Sequence, residues 1–429
     1  MNNSNSHGVQ ETRIPIGEKV RMTNERLDAD FSRIGTKLHR FPRGLRSIGD
    51  RYIVPSFVAL GPYHHGLPHL QEAEEVKHAA AHDFCARSGH SVEEVHGKIL
   101  SIVADARRCY ADVVHFGDAE FAAMMFLDGC FLLEYMHLGS SDTVEEERAL
   151  LMNSMVLSTG PCMLRDIFLL ENQLPWLVLE TLMEFGSVGV FEFVSEETAF
   201  YDISDRGLFV DETYRPPQPH ILGLLRYYHI NSMSTEDISY ELTSCPVASS
   251  AIELAEMGIH LIASNHKTGF FADMSIQKRR IFGELSLKPL FLNDITACWF
   301  VNMAAFEACT STRYPNDGFV ISSYLSLLAM LMDKEEDVHE LRAKHLLKSF
   351  LSNREMVDFF KGLARHLRLG HRYFVLLSKV HDYKRERPVR IAIHRFVYNN
   401  FKAIVAFLSI ASVLVGIFKT LMSLKQHQP

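Results

Sequence analysis

The sequence lacks most of the signatures that would assign an activity. Its 429 residues contain no GxGxxG, GxxxxGK[ST], GxSxG or HExxH arrangement, and no HxE…PCxxC pattern. Basic charge is not in surplus. Lys+Arg total 44 against 52 Asp+Glu, a formal net charge of −8, which argues against a dedicated nucleic-acid binder. Cysteine is scarce and odd in number, seven in all, with no CxxC pair. That pattern fits reduced, buried thiols rather than a disulfide framework. The opening stretch MNNSNSHGVQETRIPIGEKV has no apolar core of the kind a secretory signal needs, and no Gly follows Met1 to accept a myristoyl group. No internal repeat is visible. Apolar residues at 47% and charged residues at 22% exclude a disordered, collagen-like or coiled-coil chain.

What is present is a set of long apolar segments. The last of them, Ala403 to Phe418, carries no charge between Lys402 and Lys419. Extended to Leu424 it spans about 33 Å as a helix, enough for a hydrocarbon core of roughly 30 Å. Its Leu, Ile, Val and Phe residues favour insertion by roughly 3–6 kcal/mol. The alternative is an interfacial or core helix, since Lys402, Ser409, Ser412, Gly416 and Lys419 share one face. As a span, it would offer Ser412 and Gly416 as a small-xxx-small pair for a partner helix, an arrangement that permits a homo-oligomer. Lys384, Arg385, Arg387, Arg390, Arg395 and Lys402 precede it. This basic flank places the body in the cytosol, so the expectation is a single-pass, tail-anchored membrane protein. Plasma membrane and endomembrane are equally open.

The body divides by composition. Residues 1–45 are polar and weakly periodic, partly disordered, with a helix near Glu25 to Leu38. Residues 46–205 are expected to form a helical lobe. In it, residues 51–66 read as extended, turning at Gly61-Pro62. DAEFAAMMFLDGCFLLEYMHL, from Asp118, is an apolar core helix too short in its uninterrupted apolar run to span. Pro175 should divide the following helix near Leu174. Residues 186–220 are the clearest interruption, and the Pro-rich part, 206–220, reads as a linker or surface loop. Residues 221–395 form a second helical lobe. Strand-like segments near 258–262, 270–276 and 280–287 give it a small antiparallel β element. The fold class is therefore mainly α: a large helical body with a small antiparallel β element and a C-terminal transmembrane helix over 403–424.

Three groups of residues are candidate sites. His64, His65, His69, His78, His82, His90 and His96 crowd into 33 residues of a chain with 22 histidines. His78 and His82, spaced i, i+4 with Glu74 and Glu75 one turn earlier, could hold a divalent metal. Solvated or hydrogen-bonded histidines are the plainer reading. Glu171, Asn172 and Gln173 sit between apolar neighbours beside Pro175. They form either a hydrogen-bonding knot around the helix break or a ligand contact. Asp128, in FLDGCF, either satisfies backbone amides or a buried cation, or serves as a site carboxylate.

Several of these segments resemble a plant family known as domain of unknown function 247. ALGPYHHG (Gly61, Pro62, Tyr63, His64, His65, Gly66), followed by Leu70 and Lys77, is similar to its opening signature. MMFLDGCFLLE, with Asp128, resembles the second, and DIFLLENQLPWLVLE, with Glu171, Asn172, Gln173 and Pro175, the third. AIELAEMGIHL and NMAAFEAC match later blocks, and the apolar C-terminal helix also fits. The ordered series covers roughly residues 50–424. The resemblance implies a mostly helical, membrane-associated plant protein with no assigned catalytic activity and no cofactor. Some grass members are implicated in self-incompatibility. The functional expectation is a non-enzymatic, membrane-anchored protein that binds another protein in recognition or signalling. An uncharacterised metal-dependent enzyme using the His64–His96 stretch is the alternative.

Overall fold

Two helices that are apolar all round organise the fold, because a helix with no polar face can only be buried. The computed structural model describes residues 37–112, 115–140, 159–201, 219–230, 249–264, 270–272, 274–310 and 319–426. The readings for residues 1–36, and for most of the Pro-rich segment, lie outside the described residues.

The first central helix is α4 (Asp118–Ser140). Around it pack α1 (Glu72–Ser88), α2 (Val92–Ser101), α3 (Val103–Arg108), α6 (Trp176–Met183) and α7 (Val190–Phe200). A short α5 covers 159–167. Local chemistry sets these boundaries. Gly89, at φ 75°, ends α1 in the left-handed region. Ser91 caps α2 by accepting from the Glu94 amide.

The second central helix is α10 (Asp294–Thr310), buried along almost its whole length. It contacts α8 (Ile221–Ile230) and α11 (Val320–Leu331), and α11 packs on α13 (Asn353–Ala364) and α14 (His371–Glu386). Two further helices, α9 (Ala251–Glu256) and α12 (Glu335–Ala343), pack on each other. Capping boxes start α9 at Ser250 and α13 at Ser352.

The β element is a three-stranded sheet in the order β1-β3-β2: β1 Ile259–Ala263, β2 Ser275–Lys278 and β3 Gly283–Leu287. The β2–β3 pair is antiparallel as the pattern suggests, but β1 runs parallel to β3, so the sheet is mixed. A second parallel pair, β4 (Leu290–Leu292) with β5 (Leu347–Ser349), is additional.

One cluster of buried side chains runs through both halves, from Leu38 to Tyr383. At the junction, Trp299 of α10 meets Phe168 edge to face at 5.1 Å. Asn302 donates to the Tyr52 carbonyl (3.0 Å) and accepts from the Leu170 amide (2.8 Å).

Beyond α14 the chain continues as α15 (Pro388–Asn399) and α16 (Phe401–Gln426). Both α4 and α16 are long and apolar enough to cross a membrane by length and composition. The apolar window of α4 is 78% buried inside the body, whereas that of α16 is 0% buried.

Three readings of the sequence need correction. Residues 51–66 form no strand; the chain passes through short 3-10 turns and an irregular stretch. The helix before Pro175 ends at 167 rather than near Leu174. The interruption assigned to 186–220 contains the helix α7.

Candidate functional site

An irregular segment in a protein interior must find partners for its backbone N–H groups, and here the partners are side chains. Asp166, at the end of α5, accepts from the amides of Ser56, Phe57 and Val58 at 2.7–3.2 Å. Asn172 takes the Leu60 amide, at 2.7 Å. Its own NH2 group donates to the Val58 and Asp166 carbonyls. Asp128 takes the Gly61 amide at 2.8 Å. Five amides between Ser56 and Gly61 thus rest on three side chains from α4, α5 and the turn that follows. This is why residues 51–66 look extended in sequence yet form no sheet.

Gln173 holds two helix ends at once. Its Nε2 donates to the Ile167 and Leu169 carbonyls at the end of α5, and its Oε1 accepts from Leu222 N in the first turn of α8. Those bonds hold residues 168–174 in a turn, so α5 stops well before Pro175. Pro175 itself sits at the N-cap of α6, a position where its missing N–H costs little. Glu171 accepts from the Phe41 amide (2.7 Å) and from Arg46 (2.6 Å), with Arg40 at 3.6 Å.

GPYHHG closes over this turn. Gly61 has φ +78°, and a Cβ there would lie 2.7 Å from Tyr110 Oη and 2.9 Å from the Gln173 carbonyl. Only glycine fits. Pro62 follows at the surface side of the turn, half-buried. Tyr63 donates to the Leu38 carbonyl (2.9 Å) beneath the Arg40 guanidinium, 4.3 Å from its ring centroid. His64 is buried, with Nε2 3.5 Å from Glu171. Burial, with Arg40 and Arg46 nearby, pushes its pKa down to about 4, so near neutrality this contact is not an ion pair. His65 packs edge to face on Phe116. Gly66 also has positive φ, in open space.

Lys77, on α1, is 0% exposed. Its ammonium lies 2.7 Å from both Asp128 and Glu74. Burial alone would lower its pKa, but the two carboxylates outweigh burial and hold the lysine charged. Burial raises the Asp128 carboxyl, against the pull of Lys77 and the Gly61 amide.

The structure therefore brings the separate sequence candidates Gly61, Tyr63, His64, Lys77, Asp128, Glu171, Asn172 and Gln173 together in one buried polar knot, with Pro175 at its edge. Apart from His64 Nε2, which is buried without a hydrogen-bond partner, their polar side-chain atoms bond to one another and to backbone. The sequence reading missed Asp166 and Asn302 as site residues, which carry as many bonds. It also missed Glu307 on α10, which accepts from Arg226 and from the Ile321 and Ser322 amides opening α11. The signal was available for Asn302 and Glu307, each a polar residue inside an apolar run, whereas Asp166 follows Arg165.

His78 and His82 lie exposed on α1, apart from the knot. Among the described residues no group of three or more His, Cys, Asp or Glu is placed to hold a metal ion. His90 instead pairs with Glu94, and His96 packs on Phe126. Ser412 and Gly416 share an exposed face of α16, and nothing lies within 4 Å of a Cβ built at Gly416.

An open cleft of about 500 Å³ lies between the 3-10 turns near Ser47–Tyr52 and α13. Arg51, Asp294, Glu355, Asp358 and Arg365 give its lining both signs of charge. Ser47 Oγ and His366 Nε2 are 3.1 Å apart at its edge, both exposed. Among the described residues no carboxylate orients the other nitrogen of that ring, so the pair is not arranged as an activated nucleophile.

No solved structure is found to match this chain. Two proteins of Arabidopsis thaliana are similar to it. UPF0481 protein At3g47200 is 26% identical over 356 residues, covering 76% of this chain and 72% of that protein. Putative UPF0481 protein At3g02645 is 28% identical over 182 residues, covering 42% of this chain and 33% of that protein. The family described as a plant protein of unknown function, DUF247, matches residues 38–415, a span that begins at the segment held by the knot and ends inside α16. The chain belongs to this plant family of unknown function, DUF247.

Proposed function

We propose that this is a non-enzymatic membrane-anchored protein whose helical body binds another protein, in recognition or signalling. The observation that carries the reading is the contrast between α16 and the rest. The polar groups of the family motifs face inward and hold the body together, while α16 stands wholly exposed along its apolar window. A helix of that kind is stable in hydrocarbon, not in water. The basic segment before α16 favours a cytosolic body. Family membership makes a part in self-incompatibility one form this recognition could take.

Carbonate extraction of membranes from plant cells making the full chain tests the anchor. Retention in the pellet is expected, and release into the supernatant overturns it. Proximity labelling from the full chain, against a chain cut before Lys402, tests the partner. Proteins labelled only by the anchored form are expected. Turnover of any substrate by the purified chain, with mutation-sensitive kinetics, would overturn the non-enzymatic reading.

A further inference from the structure

The helix α15 has two unlike faces. Arg387, Ile391 and His394, spaced i, i+4, i+7, turn toward the body. His394 lies against Gly258, with its Nδ1 3.3 Å from the Glu256 carbonyl, and Ile391 packs against the core. The opposite face carries Val389, Ile393 and Phe396, at 70%, 60% and 63% exposure. Three large apolar side chains on one stripe, away from the body, have no cover.

The turn between β2 and β3 extends this face. Arg387 and Arg390 donate to the Arg279 and Arg280 carbonyls at 2.8 and 2.6 Å, which fixes residues 279–282 beside α15. At the tip of that turn Ile281 is 75% exposed. Six Lys or Arg lie between residues 384 and 402 against the single acid Glu386. Arg387 and Arg390 bond to carbonyls and form no ion pair among the described residues, although Glu386 lies near Arg387, and Arg385 and Arg395 sit beside Asp382 and Glu256. Apolar stripe and basic flank together are the pattern of a helix lying in a membrane interface. The chain then passes from α15 into the exposed apolar α16 within two residues, so the face sits where a bilayer surface would be.

We infer that α15 and the Ile281 turn form a second membrane contact, an interfacial shelf that seats the body on anionic phospholipid beside the α16 span. This rests on the proposed anchor and adds an orientation to it. The apolar stripe enters the headgroup boundary, and Arg280, Arg387, Arg390 and Lys402 meet lipid phosphates and carboxylates. The body is then held at a fixed angle instead of swinging on a tether.

The full chain, reconstituted into phosphatidylcholine vesicles with acyl-brominated lipid, with or without phosphatidylserine, tests the shelf. Single exposed positions become tryptophan probes: I281W, I393W, L414W in the middle of α16, and V92W at the start of α2. Quenching beyond the parent chain reports depth. Expected is strong quenching of L414W, with I281W and I393W quenched at least about two-fold more than V92W. That excess should be larger with phosphatidylserine and reduced by salt. Quenching of L414W alone overturns the shelf and leaves the anchor standing, the apolar face then belonging to a protein or a second copy. No quenching of L414W overturns the anchor and the shelf together. Quenching of I393W that ignores both phosphatidylserine and salt overturns the anionic-lipid assignment.

Discussion

Lys77 shows what single residues do in this fold. A buried ammonium with two carboxylates is tolerable only while all three stay together. Lys77→Met leaves Asp128 buried without its cation and is expected to cost about 3–5 kcal/mol. The double variant K77M/D128N should recover part of that loss, because the neutral amide still accepts from Gly61. Urea titration of the four corners of the cycle measures it. Two glycines separate strain from collision. Gly61→Ala faces both a left-handed backbone and contacts under 3 Å, so a loss of more than about 3 kcal/mol is expected. Gly66→Ala has the same φ in open space and should lose only about 1–2 kcal/mol. His64 adds a pH dependence. The unfolded chain binds its proton near 6.5, while the native ring resists until about 4. Its contribution to stability is complete above pH 6.5 and disappears as pH falls toward 4, a difference of about 3 kcal/mol. His64→Gln should flatten the acid limb of a Tm-against-pH curve by about that amount. An unchanged slope would show that the ring is not desolvated.

Elements were legible in sequence where hydrophobic periodicity dominates. The segment from Asp118 is a helix nearly as the pattern indicates, and the apolar segments from Ile221 and Asp294 are helices too. Two helices escaped, for different reasons. In α12 (EEDVHELRA) the apolar stripe is thin, only Val338 and Leu341, and the neighbouring core makes it helical, while α7 (VFEFVSEETAF) has its buried apolar residues crowded into its first turn and a half, too short a run to show a helical period. β4 and β5 are three residues each, too short for a period-2 signal. The knot was legible as residues but not as partners. No local pattern says that the Asn172 side chain will meet Leu60, 112 positions away. Gln173 permits an element-scale test. Gln173→Leu keeps the volume but frees the Ile167 and Leu169 carbonyls and the Leu222 amide, at a cost of about 2–4 kcal/mol. Amide hydrogen exchange should speed up first in the opening turn of α8; uniform protection across α8 would contradict the role assigned to this side chain.

The whole molecule holds its two halves by one core. Trp299, Phe168, Asn302 and Tyr52 cross what composition suggested as a lobe boundary. Calorimetry of the full chain in detergent is accordingly expected to show one cooperative transition for the body, and two resolved transitions would mean that the halves fold separately.

The Asn302 bond to Tyr52 closes a loop of 250 residues. During synthesis, the segment from Phe41 to Gly61 leaves the ribosome long before Asp128, Asp166 and Asn172 exist to receive its amides, and longer still before Asn302. A nascent or truncated chain therefore carries a run of unpaired donors beside apolar side chains, a surface that chaperones hold and proteases cut. Premature termination anywhere before residue 302 should yield degradation rather than a smaller working module.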